Sequence, residues 1–147
     1  MKNYRFLLFS LALLAAPLLM QAQPHLDWET LADVTFEERM SNEWAMQYQR
    51  ATFGDKISAY EGREIKVTGY MIPMDALGLT YVLSKNPQAT CFFCGGGGPE
   101  TVVQLQMDPA FIQRYATDTR MTFRGVLELH EDNLEQFNYV LREAKPF

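Results

Sequence analysis

Cysteine is scarce in this chain: Cys91 and Cys94 are the only two in 147 residues. Two are too few for the disulfide scaffold of a small secreted domain, so an apolar core must hold the fold; 48% hydrophobic and 13% aromatic residues supply one. Basic residues are outnumbered too, 13 Lys+Arg against 18 Asp+Glu. That balance argues against nucleic acid and anionic membrane surfaces as partners. There is no nucleophile elbow, dinucleotide fingerprint or phosphate loop, since the glycines of "CGGGGPE" are not followed by Lys-Ser/Thr. Cys-x-x-Cys here lacks the following histidine of a haem attachment site. The acid pairs Glu37/Glu38 and Glu131/Asp132 sit in polar runs and read as solvated surface. No catalytic residue is nominated, and a non-enzymatic role is expected.

Long apolar runs are equally few. "FLLFSLALLAAPLLM", from Phe6 to Met20, follows Lys2 and Arg5 and leads into the small and polar residues around Gln21 to Gln23. The run is shorter than the ~20 residues that span a bilayer, so residues 1–22 are expected to be a cleaved signal peptide. No cysteine lies at the cleavage zone to take a lipid. The expected product is periplasmic or secreted, without a membrane span. Losing Lys2 and Arg5 leaves 11 basic against 18 acidic residues, a net charge near −7. The remaining length suits a single domain.

Residues 23–62 read as an N-terminal extension. Val34, Phe36 and Glu38 alternate like a short strand; Ser41 is a candidate cap of a short helix, and "GDKISAYEG" gives a helical turn or two ending at Gly62. Residues 63–147 are clearer. Alternation through Ile65, Val67, Gly69 and Met71 predicts a strand that Pro73 stops; Leu79–Ser84 is a second; Val103, Leu105 and Met107 mark a third. Asp108 as N-cap with Pro109 at the first helical position predicts a short helix over "PAFIQRYATD". Two more strands follow, through Met121 to Leu129 and through Phe137, Tyr139 and Leu141. Gly69 and Gly125 lie inside strands, where glycine marks the bends by which a small sheet closes. Five strands with a helix between the third and fourth is the order of the OB-fold barrel, so an all-β, five-stranded OB-like domain is expected, with an SH3-like barrel or a sandwich as the alternatives.

The connection from Lys85 to Glu100 is long for a compact domain, and such loops are functional or mobile. It carries "CFFCGGGG". Two thiolates three residues apart suit a soft ion, Cu(I) or Zn²⁺, and Gly95 and Gly96 would shape the turn. A closed zinc site needs four ligands, and there is no second Cys-x-x-Cys, so the shortage favours copper unless a homodimer pools two turns. Further candidate contacts are Glu100, Asp75 and Met74, in that order. His25 lies near the start of the mature chain, a terminus expected to be frayed, and His130 in a polar turn, and Met71 belongs by default to the core. A Cys91–Cys94 disulfide is the competing expectation, though closing so short a loop stabilises by only about 2 kcal/mol. Thiol–disulfide chemistry is disfavoured, because no Lys, Arg or His lies between Asn86 and Pro99 to depress a thiol pKa, and no amphipathic helix follows. Phe92 and Phe93 cannot readily both face inward, which offers one of them as a docking contact for a protein partner in the cell envelope.

"LADVTFEERM", "YEGREIKVTGYMIPMD" and "CFFCGGGGPETVVQLQ" together resemble an uncharacterised family of exported bacterial proteins. Its members share a strand ending in "GYMIP" and a cysteine-bearing turn leading into a valine-rich strand; distant relatives carry one cysteine and a proline-rich turn there. The resemblance, from about Leu31 onward, implies an OB-like periplasmic domain with metal handling as its suspected role, and single-cysteine relatives would make an obligatory disulfide less attractive.

Overall fold

The computed structural model describes residues 23–41 and 45–147; the expected signal peptide, residues 1–22, lies outside them. Among the described residues the eight strands are β1 (His25–Leu26), β2 (Val34–Ser41), β3 (Met46–Phe53), β4 (Glu64–Pro73), β5 (Tyr81–Ser84), β6 (Val102–Met107), β7 (Arg120–Leu129) and β8 (Tyr139–Pro146). Two single-turn helices, α1 (Trp28–Leu31) and α2 (Asp55–Ser58), precede β4.

Strands β4, β5, β6, β8 and β7 pair in that order, and β7 returns to β4, closing a five-stranded barrel. All neighbours are antiparallel except β6 and β8, which run parallel. The protein is thus mostly β with an OB-like barrel, as the alternation predicts. Inward positions follow the period of two: Ile65, Val67 and Met71 from β4, Tyr81 and Leu83 from β5, Val103 and Leu105 from β6, Phe123 and Leu127 from β7, Tyr139 and Leu141 from β8. Gly125 stands where the β7–β8 register shifts, and a Cβ there would lie 2.5 Å from the Arg142 carbonyl oxygen. The bend brings the backbones of β7 and β8 so close together there that no side chain fits.

Three expectations are corrected. The helix after β6 is only a 3₁₀ turn, Pro109–Phe111. Asp108 does cap it, accepting from the Ala110 N–H at 3.0 Å. The chain then leaves helical geometry because Tyr115 is held elsewhere: its ring meets Tyr81 and Phe123 edge-on, and its N–H donates to the Tyr81 hydroxyl at 2.8 Å. Second, Ser41 ends a strand instead of capping a helix, and Met46–Phe53 forms a strand antiparallel to β2. α2 falls within the "GDKISAYEG" stretch, and Gly62 follows it at φ +71°. Third, His25 is not frayed: β1 pairs in parallel with β4, and His25 Nε2 lies 2.9 Å from Thr68 Oγ1.

The extension shares the barrel's core. Leu26, Leu31 and Ile57 are buried in one cluster with Ile65, Leu127 and Tyr139. Leu31 sits at the end of the barrel where β4 and β8 begin, its carbonyl accepting the Tyr139 hydroxyl at 2.6 Å. Asp33 fixes α2 beside it by accepting the Lys56 N–H at 2.8 Å. An OB fold usually places a helix from between its third and fourth strands; this chain seals that core with α1 and α2, from before the first barrel strand.

Candidate functional site

A second apolar cluster lies on the outside of the barrel. Ile72 of β4, Val82 of β5 and Val102 of β6 are buried there, with Tyr70, Phe92 and Phe137 packed over them. Register places them on one outward surface, since Ile72 faces Val82 and Tyr70 faces Ser84, which in turn faces Val102. The outer face of the second and third barrel strands is where OB folds generally bind their ligands. Here the cysteine loop folds across it.

That loop is organised throughout. The Lys85 N–H donates to the Thr101 carbonyl at 2.9 Å and closes its base. Between them lie three 3₁₀ turns, Gln88–Thr90, Phe92–Cys94 and Pro99–Thr101. The Gln88 N–H donates to Asp118 Oδ1 at 2.7 Å, and Asn86 Nδ2 donates to the Gly96 carbonyl at 2.9 Å. The cysteines span the middle turn. The Cys91 carbonyl accepts the N–H groups of both Cys94 and Gly96, each at 3.0 Å, while the Gly95 N–H donates to the Phe92 carbonyl at 3.0 Å. With Gly95 at φ +80°, these bonds form a Schellman closure. The glycine after the second cysteine therefore supplies the left-handed residue such a closure requires. Gly96 is needed for a different reason: a Cβ would fall 1.6 Å from the Thr90 carbonyl oxygen.

Both thiols are free; Cys91 is buried at 1% exposure and Cys94 is exposed. Among the described residues no group of three or more His, Cys, Asp or Glu side chains is placed to hold a metal ion. The further candidate donors have other engagements. Glu100 Oε1 accepts the Gly98 N–H at 3.3 Å, and the Glu100 charge reinforces burial in pushing the Tyr139 phenol far above its ordinary pKa. Met74 is 38% exposed in the β4–β5 loop. Asp75 holds that same loop, accepting the N–H groups of Thr80 at 2.6 Å and Leu79 at 3.3 Å. Asp75 also lines a shallow cleft of about 200 Å³ with Tyr81 and Arg114, and neither cysteine borders it.

The hydrogen bonds from Thr80 lead in lowering the Asp75 pKa, from 3.8 to about 2. A depressed carboxylate stabilises above its unfolded value and loses that contribution as pH falls through its folded one. The Asp75–Thr80 loop is therefore expected to hold firm above about pH 4 and to loosen as pH drops towards 2. Amide exchange at Leu79 and Thr80, compared with Asp75→Asn at neutral pH, checks this; exchange unchanged in both cases would contradict it.

The two phenylalanines divide their roles. Phe92 is half-buried on the outer cluster, whereas Phe93 is 45% exposed. Phe93 meets Phe92 edge-on at 5.3 Å between centroids and Phe137 at 5.9 Å. Phe137 belongs to the β7–β8 loop, where its N–H donates to Gln104 Oε1 at 3.3 Å and, with Leu134, it borders a groove of about 210 Å³. Sequence reading placed Phe137 in a strand and did not single out Leu134. The one available signal was an aromatic directly before the last strand, and alternation absorbed it.

The fold and this loop define a class, a small OB-like barrel whose outer β5–β6 face is capped by a Cys-x-x-Cys turn. No protein-family model matches the chain, and no curated protein does. Among solved structures, a DUF3299 family protein from Pseudomonas aeruginosa PAO1 is similar with a TM-score of 0.54 at 16% identity, over 86% of this chain and 97% of that one. At that identity the likeness concerns the fold.

Proposed function

We propose that this protein is a non-catalytic binding module of the cell envelope, reached by export, whose Cys91–Cys94 turn takes up a soft metal ion for handling or delivery. The observation that carries the reading is the pair of free thiols at the two ends of a hydrogen-bonded, glycine-closed turn. Two sulfur donors without a third side chain suit Cu(I), which accepts low coordination, better than Zn²⁺, which wants four ligands. Cys94 is the exposed, exchangeable donor, and Cys91 the inner one. Gly95 and Gly96 set the turn, and Phe92 keeps it seated on the barrel.

Cu(I) titration of the reduced protein against a competing chelator tests this. One equivalent per chain is expected, with affinity at least about tenfold weaker in Cys94→Ser, whose exposed side chain leaves the core intact. Equal uptake by wild type and Cys94→Ser overturns the metal reading. A second reading rests on the exposure of Phe93, adjacent to Phe137 and Leu134. In it the loop is an apolar docking surface for an envelope protein, and Phe93→Ser abolishes the docking while leaving Cu(I) uptake unchanged.

A further inference from the structure

β2 and β3 form a separate two-stranded ribbon in register from Val34↔Phe53 to Ser41↔Met46. Its base packs on the core through Val34 and Phe53. Its outer half does not: Glu37 to Met40 on one strand and Met46 and Gln47 on the other are exposed, Met40 at 59% and Met46 at 51%. Ribbons of two strands are marginal in water and gain stability from a third.

The two edges of this ribbon differ. The Ala51 N–H donates to the Glu131 carbonyl at 2.8 Å, so β3 lies against the β7–β8 loop, and Arg50 adds an ion pair to Glu131 at 2.7 Å. That bond also fixes the phase of the ladder. Ala51 points its N–H away from β2, so Phe36↔Ala51 is a non-hydrogen-bonded pair, and by alternation so are Glu38↔Gln49 and Met40↔Gln47. Phe36, Glu38 and Met40 thus turn their N–H and C=O groups outward along the free edge of β2. Among the described residues none of these groups has a backbone partner outside the ribbon.

An unpaired edge of this length is a template for another strand. We propose that the β2 edge pairs with the β2 edge of a second copy of this chain, in antiparallel register centred on Glu38. The sequence "FEERM" is self-complementary in that register. Phe36 faces the second copy's Met40, Met40 faces its Phe36, and both pairs exchange main-chain hydrogen bonds. Glu37 faces the second copy's Arg39, and Arg39 faces its Glu37, on the opposite surface of the sheet. Glu37 and Arg39 already lie 2.8 Å apart within one chain, more than half exposed, so the dimer sets two such pairs side by side as a two-by-two block of alternating charge. The one unfavourable juxtaposition is Glu38 against its own copy at the two-fold axis. The product is a four-stranded sheet, with each β3 outermost, and an isologous interface.

Sedimentation equilibrium across a dilution series of the purified protein tests the proposal. The wild type is expected to show a reversible monomer–dimer equilibrium. Arg39→Glu, and separately Glu37→Arg, should weaken it by about tenfold, and the double exchange Glu37→Arg with Arg39→Glu should restore it. Glu38→Gln should tighten it, and Glu38→Pro, which removes an outward N–H without touching the bonds to β3, should abolish it. All five variants change exposed positions only, and circular dichroism confirms that each is folded. A wild type that stays monomeric to about 1 mM overturns the proposal. So does a dimer indifferent to these substitutions.

Discussion

Leu31→Ala is expected to destabilise the whole protein by about 2–5 kcal/mol, although Leu31 lies outside the barrel in sequence. Its side chain is fully buried in the cluster that contains Ile65, Leu127 and Tyr139, so truncation leaves a void bordered by strands from three parts of the chain. The strands cannot collapse onto that void, because β4, β7 and β8 are fixed to one another by their ladders. Loss of packing at Leu31 also loosens the carbonyl that the buried Tyr139 hydroxyl needs, and a buried hydroxyl without a partner costs a further 1–3 kcal/mol or so. Urea denaturation measures the effect: the midpoint should fall while the slope of the single transition stays unchanged. If the extension were an appendage, the barrel transition would keep its wild-type midpoint.

The second large effect separates two adjacent glycines. Gly96→Ala places a Cβ 1.6 Å from the Thr90 carbonyl oxygen, which is backbone held within the turn Gln88–Thr90. The turn must open to admit it, which loses the Gly96 bond to Cys91 and displaces the Gly96 carbonyl from Asn86. Gly95→Ala meets open space; its cost is the left-handed backbone alone, about 1–2 kcal/mol. Alkylation of the reduced protein followed by mass spectrometry distinguishes the two. In the wild type Cys94 should react quickly and the buried Cys91 slowly. Gly96→Ala is expected to raise the Cys91 rate by tenfold or more, and Gly95→Ala to raise it far less. Equal rates at Cys91 in both variants would mean that the turn does not shelter this thiol.

Alternation of apolar residues identified four of the five barrel strands, β5 being a short run buried at every position, and the interior glycine of β7 marked the place where β8 bulges against it. These features are local, because a strand with one buried face writes its period directly into the chain. The Schellman glycine was equally legible, since a left-handed residue after a short turn has few other solutions. What the sequence concealed depends on distant partners. "MQYQRATF" reads as polar because the outer half of β3 has no core to face, so only the proximal residues carry an apolar signal. Asp108 and Pro109 are sound helix-starting chemistry, and one turn does begin there. It stops because Tyr81, 34 residues away in sequence, claims Tyr115. Within the β8 bulge, Glu143 takes φ +53° in the interval that the registers with β6 and β7 both skip, a left-handed residue that no glycine of β8 announces. At the candidate site, the sequence anticipated that Phe92 and Phe93 would part ways, but it held no sign that Phe137 completes their stack.

The position of β8 constrains the order in which this molecule can assemble. The last strand in sequence lies between β6 and β7, so until residues 139–146 have been added the barrel is an open sheet with two raw margins. The bond from Tyr139 to Leu31 spans 108 residues, which makes the native topology rich in distant pairings and slow to nucleate. If the chain is exported as proposed, threading it N-terminus first through a translocon leaves the barrel unfinished, and the chain export-competent, until residues 139–146 emerge.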